Sequence, residues 1–408
     1  MASLHLAAAC VWLVVLGASR GAEGIAFGLL VAAAAVRVPV TWRLYGRLLG
    51  AAPFRLLLCF AAWHSLSVLW SPAKHIDAGD VLPRHVFVCL ALWPLMDRWR
   101  VLMTALAAGA VAYAAGLMVL SACGSVPLAK QLLSNHVLKD IPTAGITMAM
   151  ALAAMAGRPW PRAMWARGMV ALGTGAVLCG IGTLGQRMPM IAGIAGAAAG
   201  LLAPAGGNRS MRSLAWRLAL ALAAVATLGS LALTLGNARN RAWVSALYST
   251  VMDAGQTLTQ DEAATLTSER APLARMALAI WRDHPLFGAG ANGFAVENKQ
   301  RTAADPAFYE ASPRTTAQLA KLASAHNAFL DEAAARGIVG ISLLAALVAT
   351  CAWWAWTADP STATFGMLVA WFGISLTTPA SLRIVPMMLL AIIVARTSML
   401  AGARRTLR

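Results

Sequence analysis

SAHNAFLDEAAARGIVGISLLAALVATCAWWAW, residues Ser324 to Trp356, carries the chain out of its one long polar interval and back into an apolar run. A membrane span needs about 20 mostly apolar residues, and lipid admits only helices or closed barrels because it offers the backbone no water. Gly337 to Trp356 meets that length, and its Ala/Leu/Val content lacks strict alternation, so the reading is a helix and not a barrel strand. Working outward, the same reading gives spans at Leu4 to Ser19, Gly24 to Val40, Ala51 to Trp70, Val81 to Met96, Val101 to Ser121 and Ile141 to Ala156. Others follow at Ala166 to Gly185, Met188 to Ala203, Leu214 to Leu235, Thr362 to Thr378 and Ile384 to Leu400. The total is about twelve. The expected fold is therefore an all-α integral membrane protein with one large, mainly helical external loop. Its domains are 1–236 (N-terminal transmembrane helices), 237–327 (the loop) and 328–408 (C-terminal transmembrane helices).

Composition agrees. The 408 residues are 59% hydrophobic and 12% charged, where a soluble domain has roughly a quarter charged. The net charge of +17 is spread in short clusters between apolar runs, where basic residues orient a membrane protein, so nucleic acid is rejected as a partner. The cysteines Cys10, Cys59, Cys89, Cys123, Cys179 and Cys351 lie mostly within apolar runs and show no CxxC spacing, which argues for packing residues and against a disulfide framework or a zinc site. The first apolar run lacks a preceding Lys or Arg and reads as a retained span, not a cleaved signal peptide.

The arginines set the orientation. Alternate connections carry Arg43 and Arg47, then Arg98 and Arg100, then Arg158, Arg162 and Arg167, then Arg209 and Arg212, and finally Arg404, Arg405 and Arg408. That set is cytoplasmic by the positive-inside rule, which puts both termini inside and the long loop outside. No ATP is available there, so a reaction in the loop must draw on an activated group already in its substrate.

Within the loop, Leu273, Met276, Ala277, Ile280 and Trp281 form one face of an amphipathic helix. Thr267 or Ser268 can cap it, Pro272 suits its first turn, and Arg270 lies at its start. Arg275 and Arg282 fall on the opposite face, facing solvent or lipid phosphate. Gly288-Ala289-Gly290-Ala291-Asn292-Gly293 matches GxGxxG but leaves a helix instead of a strand, so it reads as a turn and not a dinucleotide site. Arg187 sits in an almost loop-free connection before Pro189, where a helix N-terminus already favours an anion, and a charge at such depth is costly and usually functional. Ser324 can cap the next helix and leave His326 in its first turn, where the helix dipole favours a neutral ring suited to act as a base. Glu332 and Arg336 are an i, i+4 pair that supports that helix.

His326-Asn327-Ala328-Phe329-Leu330, followed by Gly337 and Gly340, resembles the HNxxL…GxxG signature of the O-antigen ligase and polymerase superfamily. Ser268-Glu269-Arg270 with Trp281, His284-Pro285-Leu286 and Gly288-Ala289-Gly290 resembles its preceding segment. Arg187 to Ile191 is similar to its RxxxL motif with isoleucine for leucine, and Trp63 to Pro72 to an early run of the family. The resemblance implies the C-type glycosyltransferase fold with a large periplasmic loop in a bacterial inner membrane. It also implies transfer of a polysaccharide from undecaprenyl diphosphate to an acceptor hydroxyl, without metal, nucleotide or other cofactor. By the same resemblance Arg187, Arg270 and His326 carry the catalytic weight, read here as His326 acting as the base and the two arginines holding the diphosphate; Asn327, Arg275, Arg282 and Arg336 are candidate supporting residues by their position beside these. The chemistry suits the residue types: fixed arginines can stabilise a diphosphate leaving group, and a sugar hydroxyl needs a base.

The expected function is that of an O-antigen ligase whose acceptor is a sugar of the lipid A-core. The rivals within the class are an O-antigen or exopolysaccharide polymerase and a protein O-oligosaccharyltransferase, the last disfavoured because the chain ends with its last span. A rival of another class is a lipid or solute transporter, in which Arg187 would bind substrate within the bundle.

The orientation is open to direct test. In a cysteine-free background, a cysteine at Ala303 is expected to react with an impermeant thiol reagent in intact spheroplasts, and one at Ala163 is expected to stay unlabelled. The reverse pattern would put the loop in the cytoplasm.

Overall fold

The computed structural model describes residues 1–16, 20–73, 84–122, 141–157, 164–183, 187–203, 270–305, 316–359, 362–378 and 384–405. Among them every regular element is helical. The N-terminal part contains α1 (Ala2–Val15), α2 (Arg20–Gly50), α3 (Ala52–Leu66), α4 (Arg84–Leu92), α5 (Trp99–Ala122), α6 (Ile141–Ala156), α7 (Met164–Thr183) and α8 (Arg187–Leu202). After the polar interval begins come α9 (Arg270–Asp283), α10 (Gly293–Ala304) and the single turn α11 (Thr316–Leu319), then α12 (Ala328–Ala358), α13 (Ala363–Ser375) and α14 (Ile384–Arg405).

The described residues of each expected span fall mainly on helix, and Leu214 to Leu235 lies outside the described residues. Among the described residues, five helical runs are long and apolar enough to cross a membrane: Gly21–Gly50, Ala52–Trp70, Arg84–Val119, Ala328–Ala358 and Val385–Ala403. Ala2–Val15, Thr143–Ala156, Gly168–Ile181, Met188–Leu202 and Ala363–Ser375 are apolar but shorter.

Three boundaries differ from the sequence reading. Helix α2 continues through Pro39 to Gly50, so Arg43 and Arg47 sit on helix and not in a loop. The connection at Arg98 and Arg100 is also helical, since the 3-10 turn Trp93–Arg98 joins α4 to α5. Finally, α12 begins at Ala328 and not at Gly337.

The bundle packs through small residues. A Cβ on Gly196 of α8 would lie 2.6 Å from the Gly366 carbonyl oxygen of α13, and one on Gly366 would lie 2.6 Å from the Gly196 oxygen. Such backbone-to-backbone approach is how helices associate where lipid removes the hydrophobic drive. Thr362, at the start of α13, donates its hydroxyl to the carbonyl of Gly200 (2.6 Å), near the end of α8. Gly373, near the end of α13, faces Ala192. The two helices are therefore antiparallel, and the start of α8 lies at the same end of the bundle as the end of α13. The opposite end is tied by Arg396 of α14. Its guanidinium is 3.3 Å from Asp359 and 3.4 Å from the Met96 carbonyl, and it lies 5.2 Å from the Trp99 ring centroid.

The long helix α12 is broken at Gly337 (φ 65°, ψ −160°). Helical carbonyls just before a break lose their partners four residues on, and in an apolar bundle such groups must find others. Here the Ala334 and Ala335 carbonyls accept from the amides of Ala289 and Gly290, each at 2.8 Å. The Arg336 carbonyl accepts from the Trp63 indole N–H at 3.2 Å. Past the break, the Ile338 amide donates to the Pro285 carbonyl at 2.9 Å. A Cβ on Gly337 would lie 2.2 Å from the Leu286 oxygen, and one on Gly288 would lie 2.2 Å from the Arg336 nitrogen.

Gly337→Ala should thus destabilise the fold by about 1–3 kcal/mol from backbone conformation alone, with the clash at Leu286 adding to it. The measurement is the thermal unfolding midpoint in detergent, which should fall. A midpoint equal to that of the wild type would contradict this account of the break.

Candidate functional site

The helix break gathers distant parts of the chain. Trp63 and Trp70, from α3 and the 3-10 turn Ser67–Trp70 that follows it, meet Phe287 with ring centroids 5.7 and 6.1 Å away. Ser71 donates its hydroxyl to the Ala291 carbonyl, and the Ala291 amide donates to the Ser67 carbonyl at 3.1 Å. The GxGxxG stretch is a turn whose Ala289 and Gly290 amides are committed to α12, and these are the donors a phosphate would otherwise need.

The amphipathic helix α9 buries Leu273, Met276, Ala277 and Ile280 in a small second core with Ala289, Phe294, Leu319, Ala325 and Ala334. Arg275 and Arg282 are exposed on its other side, as the helical spacing requires. Arg301 of α10 pairs with Asp283 (2.6 Å) and Glu297 (2.9 Å) and locks α10 to the end of α9. Burial opposes its charge, but the two carboxylates outweigh burial and raise its pKa above the ordinary arginine value. Asn298 donates to the carbonyls of Leu319 (2.9 Å) and Leu322 (3.1 Å), which holds the chain leading to His326 against α10.

At the start of α12 the structure corrects the sequence reading. The N-cap is Asn327, not Ser324: its side-chain oxygen accepts from the amides of Phe329 (3.0 Å) and Leu330 (3.1 Å). His326 precedes the cap with φ 56°, so it does not belong to the first turn. The left-handed residue interrupts the helical path between Ser324 and Ala328, and the helix cannot begin earlier. The dipole argument for a neutral ring, which assumed a first-turn position, loses that basis. Asn327 also donates to the Leu376 carbonyl at 3.1 Å, fastening the start of α12 to the end of α13.

Arg187 is the first residue of α8 and Pro189 lies in its first turn, as expected. Since α8 and α13 are antiparallel, Arg187 lies about 7–8 Å along the axis beyond Ala192. Leu376 lies about 4–5 Å beyond Gly373 in the same direction. The start of α8 and the His326-Asn327 pair therefore share one end of the bundle. Arg270 is the first residue of α9, half-buried. The far end of α9 leads into Pro285 and Leu286 at the Gly337 break, and its apolar face packs with Leu330 and Ala334. Helix α9 thus runs antiparallel to the first segment of α12, and Arg270 faces the end where His326 lies. Three basic residues opening or preceding three different elements are brought to one end, an arrangement able to hold a polyanion beside a base.

Arg336 is placed differently from the other supporting residues. Its pairing with Glu332 is present at 2.9 Å, but both side chains are buried and the same Glu332 oxygen accepts from His64 Nε2 of α3 at 3.0 Å. The expected helix support is present, and through His64 it is also an internal tie across the bundle. The sequence reading missed His64 and also Asp331, whose Oδ1 accepts from the Ala325 amide at 2.6 Å. His64 lies within a quoted motif, Trp63 to Pro72, and Asp331 stands between two singled-out residues, but neither has a spacing that signals its partner.

A family model described as O-Antigen ligase matches residues 166–345. The match takes in α7 and α8, the whole polar interval and the first part of α12 across the break. No curated protein matches the chain. The matched residues are similar to the O-antigen ligase family, a group of glycosyltransferase-like enzymes, and with the apolar helices on both sides they mark a multi-pass membrane protein.

Proposed function

We propose that the protein is an O-antigen ligase of the inner membrane, with its site on the periplasmic face and both termini in the cytoplasm. It transfers a polysaccharide from undecaprenyl diphosphate to a sugar hydroxyl of the lipid A-core. The observation that carries this reading is the gathering of Arg187, Arg270 and His326, the basic residues of three separate motifs, at one end of the bundle.

In the proposed reaction the acceptor hydroxyl attacks the anomeric carbon of the donor. The bond from that carbon to the diphosphate oxygen breaks, and its electron pair leaves with the diphosphate. His326 takes the hydroxyl proton and returns it to solvent. Arg187 and Arg270 stabilise the charge growing on the leaving group, the role a metal ion takes in other transferases. Asn327 acts indirectly, by fixing the helix start that follows His326. Arg275 and Arg282, exposed on the outer face of α9, suit lipid phosphates better than the reacting groups. Polymerase chemistry would use the same donor end and differ in the acceptor.

The test uses the purified protein with a defined lipid-linked glycan and lipid A-core, and separates the products on a gel. A lipid A-core ladder is expected. Lengthened lipid-linked polymer would make the protein a polymerase, and no transfer at all would overturn the glycosyltransferase reading. A positioned base contributes about 10²- to 10⁴-fold, so His326→Ala should lose transfer to that extent while donor binding survives. Arg187→Lys, which keeps the charge but loses the planar fork, should also transfer poorly. A chelator should leave the rate unchanged.

A further inference from the structure

We propose that Asp331 is a positioning residue that holds His326 in its working backbone conformation. The proposal rests on the reading of His326 as the base.

Asp331 lies fully buried in the second turn of α12. Its side chain reaches back past the cap, and Oδ1 accepts the Ala325 amide at 2.6 Å. Its own amide donates to the Asn327 carbonyl at 2.8 Å. The residue between these two bonded positions is His326, with φ 56°. A left-handed backbone at a non-glycine residue costs of order 1–3 kcal/mol and persists only where its surroundings over-determine it. Here the determinants are explicit: Asp331 fixes the residue before His326, and the Asn327 cap fixes the residue after.

The burial of Asp331 gives a second, independent indication. Its Oδ2 is buried and has no hydrogen-bond partner among the described residues. A half-satisfied buried carboxylate is expensive, and an apolar residue of similar size would avoid that cost. What the carboxylate supplies at this position is an acceptor for the Ala325 amide. Neighbouring Glu332 is engaged elsewhere, its Oε1 taking donors from His64 of α3 and from Arg336.

The consequence is specific. Loss of the Ala325 bond should free the backbone on which the imidazole is mounted and leave the arginines at α8 and α9 in place. Misplacing a reacting group by about 1 Å can cost on the order of 10²-fold in rate. Turnover should therefore fall and donor affinity should not.

The experiment compares Asp331→Ala with Asp331→Asn in the full-length protein, by hydrogen exchange of the peptide covering residues 324–327 and by transfer from the lipid-linked glycan to lipid A-core. Asp331→Ala should speed exchange at Ala325 and lower kcat on the order of 10- to 100-fold with KM for the donor unchanged. Asp331→Asn keeps an amide oxygen as acceptor and should retain the slow exchange and most of the turnover. Unchanged exchange in Asp331→Ala would overturn the proposed hold whatever the activity. A rise in KM equal to the fall in kcat would overturn the positioning role, as would Asp331→Asn failing as badly as Asp331→Ala. His326→Ala supplies the separate control. If it transfers at the wild-type rate, the base assignment falls and takes the catalytic half of the proposal with it, while the exchange result still decides whether Asp331 holds the turn.

Discussion

A helix that stops bonding to itself inside an apolar bundle must hand its carbonyls to other donors, and at Gly337 the handover is complete enough to organise the molecule. The Ala334, Ala335 and Arg336 carbonyls take two amides from the glycine turn and one indole N–H from α3. Each such bond is modest in water, but an unmade one in hydrocarbon costs several kcal/mol. The break is therefore stable only with the loop docked and Trp63 in place. Conversely, the glycine turn can lie so close to α12 only because Gly288 and Gly337 have no side chains to interpose. One constraint links three sequence motifs that lie far apart in the chain.

The buried charges follow the same logic. Glu332, His64 and Arg336 sit beside the break, and Asp359 and Arg396 tie the other end of the bundle. Buried ion pairs add little net stability over well-packed apolar residues, yet removing one partner is severe because the other is left uncompensated. They act more as registration marks than as glue. The Glu332 tie sets the first segment of α12 against α3, and the Asn327 bond to Leu376 sets its start against α13. Small-residue packing then relates α13 to α8, so the position of Arg187 relative to His326 is passed along a chain of fixed contacts.

Much of this was legible in the residues. The spans read well because about 20 apolar residues leave few alternatives, and α9 read well because Leu273, Met276, Ala277 and Ile280 repeat with the helical period. The two helical joints at Arg43–Arg47 and Arg98–Arg100 were misread as loops, since arginine clusters mark an interface without saying whether the helix continues through it. The start of α12 was harder. Ser324 and Asn327 are both good caps, and the choice between them was made by a left-handed His326 that local sequence does not announce. Gly337 looked like the first residue of a span, whereas it is the break in one. Asp331 and His64 could not be read at all, because their partners are a backbone amide in one case and a residue on a distant helix in the other.

The central claim is that the lipid diphosphate binds at the end of the bundle where α8 begins, α9 begins and α12 is capped. The most direct measurement is photo-crosslinking with an undecaprenyl diphosphate-linked glycan that carries a photoreactive group next to the diphosphate, followed by mass spectrometry of the labelled peptides. The account predicts cross-links within peptides containing Arg187, Arg270 and His326. Labelling concentrated instead at the opposite end, around Asp359 and Arg396, would contradict it.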